Sequence, residues 1–192
     1  TYGGSVYCYN ITTGAKVWTY YTGSNPGTPY GHNPLWEGLY VADGKVFACT
    51  YEHSQNNPPY EGAKMYAINA TTGDLVWDLD GWYYGYGAVV ADGYMVSDNI
   101  ADNILYGIGK GQTDTTVTAP DTAQPAGTPV IIQGTVTDQS SGSTTIDPKG
   151  TPCIADSYMT AWMEYLYMQQ PKPTNATGVP VSIDAIDPNS NY

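Results

Sequence analysis

Three Asn-x-Thr triplets, Asn10-Ile11-Thr12, Asn69-Ala70-Thr71 and Asn175-Ala176-Thr177, carry the most readable chemistry in this chain. An Asn amide two residues before a hydroxyl is the acceptor pattern for N-linked glycans, and each triplet falls where a turn or loop is expected. Two histidines, His32 and His53, lie in separate connections near Glu37 and Glu52. They lack paired ligand spacing, so they read as loop histidines rather than a metal centre. Ser97, Asp98 and Asn99, followed by Asp102 and Asn103, gather side-chain oxygens around one tight turn. That set suits a polar hairpin better than a Ca²⁺ loop, because the spacing and terminal Glu of an EF-hand are missing. Cys8, Cys49 and Cys153 are too few and too scattered for a disulfide framework. Cys8 reads as a buried free thiol, and Cys153, near a turn, is available to a partner outside the chain. The aromatic runs Tyr20-Tyr21 and Trp82-Tyr83-Tyr84-Gly85-Tyr86 offer ring faces to a sugar or a protein. Tyr83, Tyr84 and Tyr86 are the candidate binding surface; Trp82 reads as packing.

Composition narrows the classes. The 192 residues carry 18 acidic side chains against six lysines and no arginine, a net charge of −12. Nucleic-acid binding needs basic surface for phosphates, so that class is excluded, and acidic membrane surfaces repel the chain. Nineteen tyrosines against one phenylalanine, with few charges, suggest an exported β protein. No stretch approaches the ~20 apolar residues that span a bilayer. With no signal peptide at its start, the chain is expected to begin after processing or within a longer protein.

These residues are positioned by a repeat. Val6–Tyr20, VYCYNITTGAKVWTY, returns 59 residues later as Met65–Leu79, MYAINATTGDLVWDL. The copies share Tyr7/Tyr66, the Asn-x-Thr-Thr-Gly run (Asn10–Gly14, Asn69–Gly73) and the Val-Trp pairs Val17-Trp18 and Val76-Trp77. Alternation around aromatic and β-branched residues predicts a strand in each first half. The Asn-x-Thr-Thr-Gly run predicts a turn, and a second strand then carries the Trp. A Trp at one place in every repeat fills the gap between neighbouring sheets, so Trp18 and Trp77 are read as structural docking residues.

This strand, Tyr-Ala-Ile-Asn-Ala-x-Thr-Gly turn and Trp strand resemble the repeat of quinoprotein-like (PQQ-like) β-propellers. The likeness spans roughly residues 4–111. It implies four-stranded antiparallel blades, each docked on the next by its Trp. Members that are dehydrogenases hold the quinone over a Trp, beside Ca²⁺, often with a vicinal disulfide. This chain has no Cys-Cys pair and no Arg for the quinone carboxylates, so neither PQQ nor Ca²⁺ is expected and no catalytic residue is assigned.

Taken in order, residues 1–112 predict propeller blades in an incomplete ring. The first blade contributes only its last two strands. Hairpins come next at Leu39–Thr50 and Ala88–Ser97, turning at Asp43-Gly44 and Asp92-Gly93. Ile104–Ile108 matches the Met65–Ile68 strand, but GKGQT replaces the Asn-x-Thr-Thr-Gly turn and no Trp strand succeeds it. Residues 113–127, rich in Thr, Pro and Ala, predict a linker. Residues 128–192 predict a β-sandwich-like module with strands at Thr128–Asp138 and Val179–Asp187 and one short helix within Asp156–Gln170. That module resembles the immunoglobulin-like domains that come after such propellers in archaeal cell-surface proteins, and is expected to be truncated.

The fold class is therefore mainly all-β. The leading expectation is a non-enzymatic extracellular structural or interaction glycoprotein: a segment of a larger propeller, completed by a longer polypeptide or by self-assembly into a filament or surface array. A propeller that binds polysaccharide or a partner protein is the alternative, and a quinoprotein dehydrogenase the third reading.

Overall fold

The computed structural model describes residues 2–36, 38–52, 61–84 and 88–186. Within them the chain is mostly β, 38% strand against 10% helix, in several small antiparallel sheets with two α-helices. The mainly-β class and the small antiparallel sheets are as expected.

The two repeats fold alike. Strands β1 (Ser5–Tyr9) and β2 (Lys16–Tyr21) pair as one hairpin. Strands β5 (Lys64–Asn69) and β6 (Leu75–Asp80) pair as the other. Both ladders slip one step before the turn, between Cys8 and Tyr9 and between Ala67 and Ile68. In the second copy β3 (Tyr40–Ala42) and β4 (Lys45–Cys49) complete a four-stranded sheet in the order β3-β4-β5-β6. Asp43 and Gly44, with φ of 48° and 66°, turn the β3–β4 hairpin with the primed geometry that matches strand twist. Lys45 and Lys110 lie 2.9 Å and 3.0 Å from the Asp43 carboxylate and hold its pKa down at about 2.

The third unit is the three-stranded sheet β7 (Val89–Ala91), β8 (Tyr94–Asn99) and β9 (Ile104–Gly109). Its first hairpin turns at Asp92-Gly93 as expected. Among the described residues β9 pairs only with β8, and Ile104 and Leu105 are exposed.

Two buried clusters join these sheets. One gathers Val6 and Leu35 with Val46, Ala48, Tyr66 and Ile68, flanked by Trp18 and Tyr20. It joins the first sheet to one face of the second. The other gathers Phe47, Met65, Ala67, Trp77 and Leu79 from the opposite face with Tyr83, Ala88 and Met95. Alternate residues of β4 and β5 supply the two faces, as the pleat requires. The second sheet is thus the buried middle layer.

The last third departs from the expectation in four ways. The expected linker begins with a strand, β10 (Thr113–Thr118), paired along its length with β11 (Gln133–Asp138). Every β10 residue is exposed, so its β-branched threonines and the Thr116–Thr135 hydroxyl contact at 2.6 Å hold it rather than burial. The strand expected from Thr128 starts only at Gln133. Two helices appear where one was expected: α1 (Ser141–Ile146) precedes β12 (Thr151–Pro152), which completes a β10-β11-β12 sheet. The expected helix is present as α2 (Met159–Tyr167), after a 3-10 turn at Asp156–Tyr158. Finally, residues 179–186 form no strand; their approach to the sheet is the single bridge Ile154↔Gly178, next to which Val179 donates to the Cys153 carbonyl. The described residues of this module thus form one three-stranded sheet with helices, and the turn expected at Asp187 lies outside the described residues.

Nor does the module stand apart. Helix α2 lies along β6, with Met159, Met163 and Met168 against the Trp77 cluster, and Thr160 Oγ1 accepts from the Asp78 N–H at 2.9 Å. The outer edge of the four-stranded sheet is covered by the C-terminal module. No helix among the described residues is long and apolar enough to cross a membrane.

Candidate functional site

The repeat turn is built twice with one set of bonds. Asn10 Oδ1 accepts from the N–H groups of Thr12 and Thr13, both at 2.9 Å, and Gly14 N–H returns to the Asn10 carbonyl at 2.8 Å. Asn69 Oδ1 accepts from Thr71 and Thr72 at 2.9 Å and 3.1 Å, and Gly73 N–H returns to Asn69 at 2.9 Å. Gly14 and Gly73 close the turns at φ of 68° and 81°, a region glycine enters without a steric penalty. The Asn side chains serve the turn through oxygen, so the amide nitrogen that a glycan would modify is not part of this bonding. Asn10 is exposed, Asn69 half-buried and Asn175 exposed in a bend.

Beyond the turn the two copies differ. The Trp18 indole crosses to the second sheet, where its Nε1–H donates to the Ala70 carbonyl at 3.0 Å. Its ring lies against Gly73, where a Cβ on the glycine would approach Trp18 Cγ to 2.7 Å. The first repeat's Trp therefore seats on the second repeat's turn. Trp77 is buried in the next cluster, 5.8 Å from Phe47, with side chains of the third sheet and α2 around that cluster. Its seat is not a copy of the first: the third unit has Lys110 and Thr113 where the second has Ala70 and Gly73, and runs on into β10.

The expected aromatic surface is corrected in part. Tyr83 is fully buried, with its hydroxyl on the Asp80 carbonyl at 3.3 Å and its ring edge-on to Tyr106 at 5.6 Å. Burial raises its pKa well above the ordinary phenol value. A side chain so enclosed is a core residue and presents no face to a ligand. Tyr84 is half-buried, edge-on to Tyr51 at 5.2 Å. Tyr86 lies outside the described residues, as do Glu37 and His53. Trp82 is buried, the packing role read for it.

The remaining candidates are engaged locally. His32 Nε2 donates to the Tyr2 carbonyl at 2.6 Å. Tyr30 donates to the buried Glu52 at 3.4 Å. Asn99 Oδ1 accepts from the Trp82 and Ala101 N–H groups, and the Asp102 carboxylate accepts from Ile104 N–H, Tyr106 hydroxyl and Asn99 amide. This is the polar hairpin turn, joining β8 to β9. Asn103 takes φ of 59° where the repeat turn has glycine, so the third unit uses the same turn design one hairpin earlier. Cys49 is buried and free, and burial pushes its thiol up to about 12; Cys8 and Cys153 are half-buried and free. Cys8 is less covered than its repeat counterpart Ala67, which is wholly buried in the middle layer.

One group of polar side chains has no signature in the sequence. Buried Asn33 donates to the Tyr66 hydroxyl at 2.6 Å and to the Gly62 carbonyl at 2.9 Å, and accepts from Asn25 at 2.6 Å. Beside it Lys64 bridges Asp78 at 3.3 Å and Asp80 at 2.7 Å. Burial works against the Lys64 charge, yet the two carboxylates outweigh it and raise its pKa. The residues come from three separate stretches of chain, so no local motif announces them. No protein-family model and no curated protein matches this chain.

Proposed function

We propose that this chain is a structural or interaction segment of an extracellular, archaeal-type surface glycoprotein of the PQQ-like propeller kind, not an enzyme. The observation that carries the reading is Trp18 seated on the Ala70 carbonyl and Gly73 of the next repeat. Such a contact fixes one sheet on another and uses the most characteristic residue of the repeat for scaffolding. The immunoglobulin-like module and the surface location come from the resemblance of the sequence alone. The exposed outer edge of β9 supports completion by a further strand, from the rest of a longer polypeptide or from a second copy.

Light scattering on the purified chain, with intact mass before and after deglycosylation, tests both halves. Oligomers or fibres with a glycan-sized mass difference are expected. A monomer at high protein concentration removes self-assembly, and an unchanged mass for protein from its native source removes the glycoprotein.

A further inference from the structure

Between the first two sheets lies a cleft of about 580 Å³ that the docking contacts leave open. Tyr20, Asn25, Asn33, Lys64, Tyr66 and Asp78 are among the side chains that line it. The volume is within the range of about 300–1,000 Å³ usual for small-molecule sites.

Its chemistry is specific. The Asn33–Asn25–Tyr66 network holds the floor: Asn25 also donates to the Glu61 carbonyl at 2.9 Å and accepts from Gly27 N–H at 2.9 Å. These amides are fixed before any ligand arrives. Lys64 brings one positive charge, but Asp78 and Asp80 surround it with two negative ones. A phosphate or carboxylate would find the cleft's lysine already paired and two carboxylates beside it. At the wall, the half-buried Tyr20 hydroxyl has no hydrogen-bond partner among the described residues, and its ring sits 5.7 Å from that of Tyr66. Burial, then the neighbouring Tyr66 and Asp78, raise its pKa, so it stays a neutral phenol able to donate and accept.

We infer that this cleft is a binding site for a neutral saccharide of one or two pyranose units. A pyranose has an apolar C–H face for the Tyr20 ring and Leu75, which also lines the cleft. Its hydroxyls both donate and accept, which suits a set made of carboxylate, ammonium, amide and phenol. The inference goes beyond the scaffold role and does not depend on assembly.

Saturation-transfer NMR and calorimetry on the whole chain test it, with maltose, cellobiose and N,N′-diacetylchitobiose as probes and glucose 6-phosphate as the anionic comparison. At least one disaccharide should bind at millimolar concentration and glucose 6-phosphate should not. Tyr20→Phe, which keeps the ring and removes one hydroxyl, should weaken binding about three- to tenfold, the effect of one hydrogen bond. Asp78→Asn should weaken it as well, and Tyr94→Phe, on β8, should change nothing. Circular dichroism of each variant checks that the fold is kept. Absence of saturation transfer from the unmodified chain to all three disaccharides overturns the proposal. So does binding that both Tyr20→Phe and Asp78→Asn leave intact, or tighter binding of glucose 6-phosphate. None of these results bears on the scaffold reading.

Discussion

Gly14 and Gly73 occupy the same place in the repeat with different surroundings, so they separate backbone strain from docking. Gly14 has open space around its missing side chain, whereas Gly73 lies under the Trp18 ring. Gly14→Ala should cost only the left-handed backbone term, about 1 kcal/mol. Gly73→Ala adds displacement of an indole and its hydrogen bond, so the loss should reach about 3 kcal/mol. Urea denaturation of the two variants measures the difference. In a Trp18→Ala background that difference should vanish, as a closed cycle requires. Equal losses in the original background would mean that Trp18 does not seat there. The same asymmetry bears on modification. Asn10 is exposed and followed by the fully exposed Ile11; Asn69 is half-buried and the next carbonyl holds Trp18. Glycopeptide mass spectrometry of protein made in an N-glycosylating host should find Asn10 the more occupied. Preferential occupancy of Asn69 would contradict a docked Trp18.

At the scale of elements, the edge of β6 is the clearest case of one module completing another. Thr160 Oγ1 is the acceptor for the Asp78 N–H, and α2 shields that strand. Thr160→Val keeps the shape and removes the acceptor, so the amide loses its partner at a cost of about 1 kcal/mol. The Asp78 amide should then exchange with deuterium faster, while the Met65 amide, within the buried β5, should not change; Thr160→Ser should restore protection. Unchanged exchange at Asp78 would place the edge's protection elsewhere. This contact was not legible in the sequence, since it joins residues 82 apart. The legible features are local: the repeat hairpins, the two Asp-Gly turns and α2, each carried by periodicity and turn chemistry within some fifteen residues. The departures from local pattern have physical causes too. β10 is a strand of exposed threonines and so has the composition of a linker, whereas Val179–Ile186 alternates well but, among the described residues, forms no ladder beyond the bridge at Gly178. Tyr83 reads as surface in the sequence because a run of aromatics has no period that says which ring turns inward. The Asn33 cleft comes together only when the two repeat sheets stack.

For the whole molecule, charge and open edges pull in opposite directions. The chain carries a net charge of −12, and every approach of one copy to another meets that repulsion. Pairing at β9 would be driven by main-chain hydrogen bonds and by burial of Ile104 and Leu105, neither of which depends on charge. Salt screens the first effect and leaves the second: the Debye length falls from about 30 Å at 0.01 M to about 10 Å at 0.1 M. Self-association through β9 should therefore strengthen as salt rises. Sedimentation velocity across that salt range gives the answer, with Leu105→Lys as the variant that adds a charge at the edge without entering the core. Larger species at higher salt, lost in Leu105→Lys, would fit strand completion between copies. Assembly that dissolves with added salt would mean that ion pairs across the interface hold it, and the β9 edge would then not be the joint.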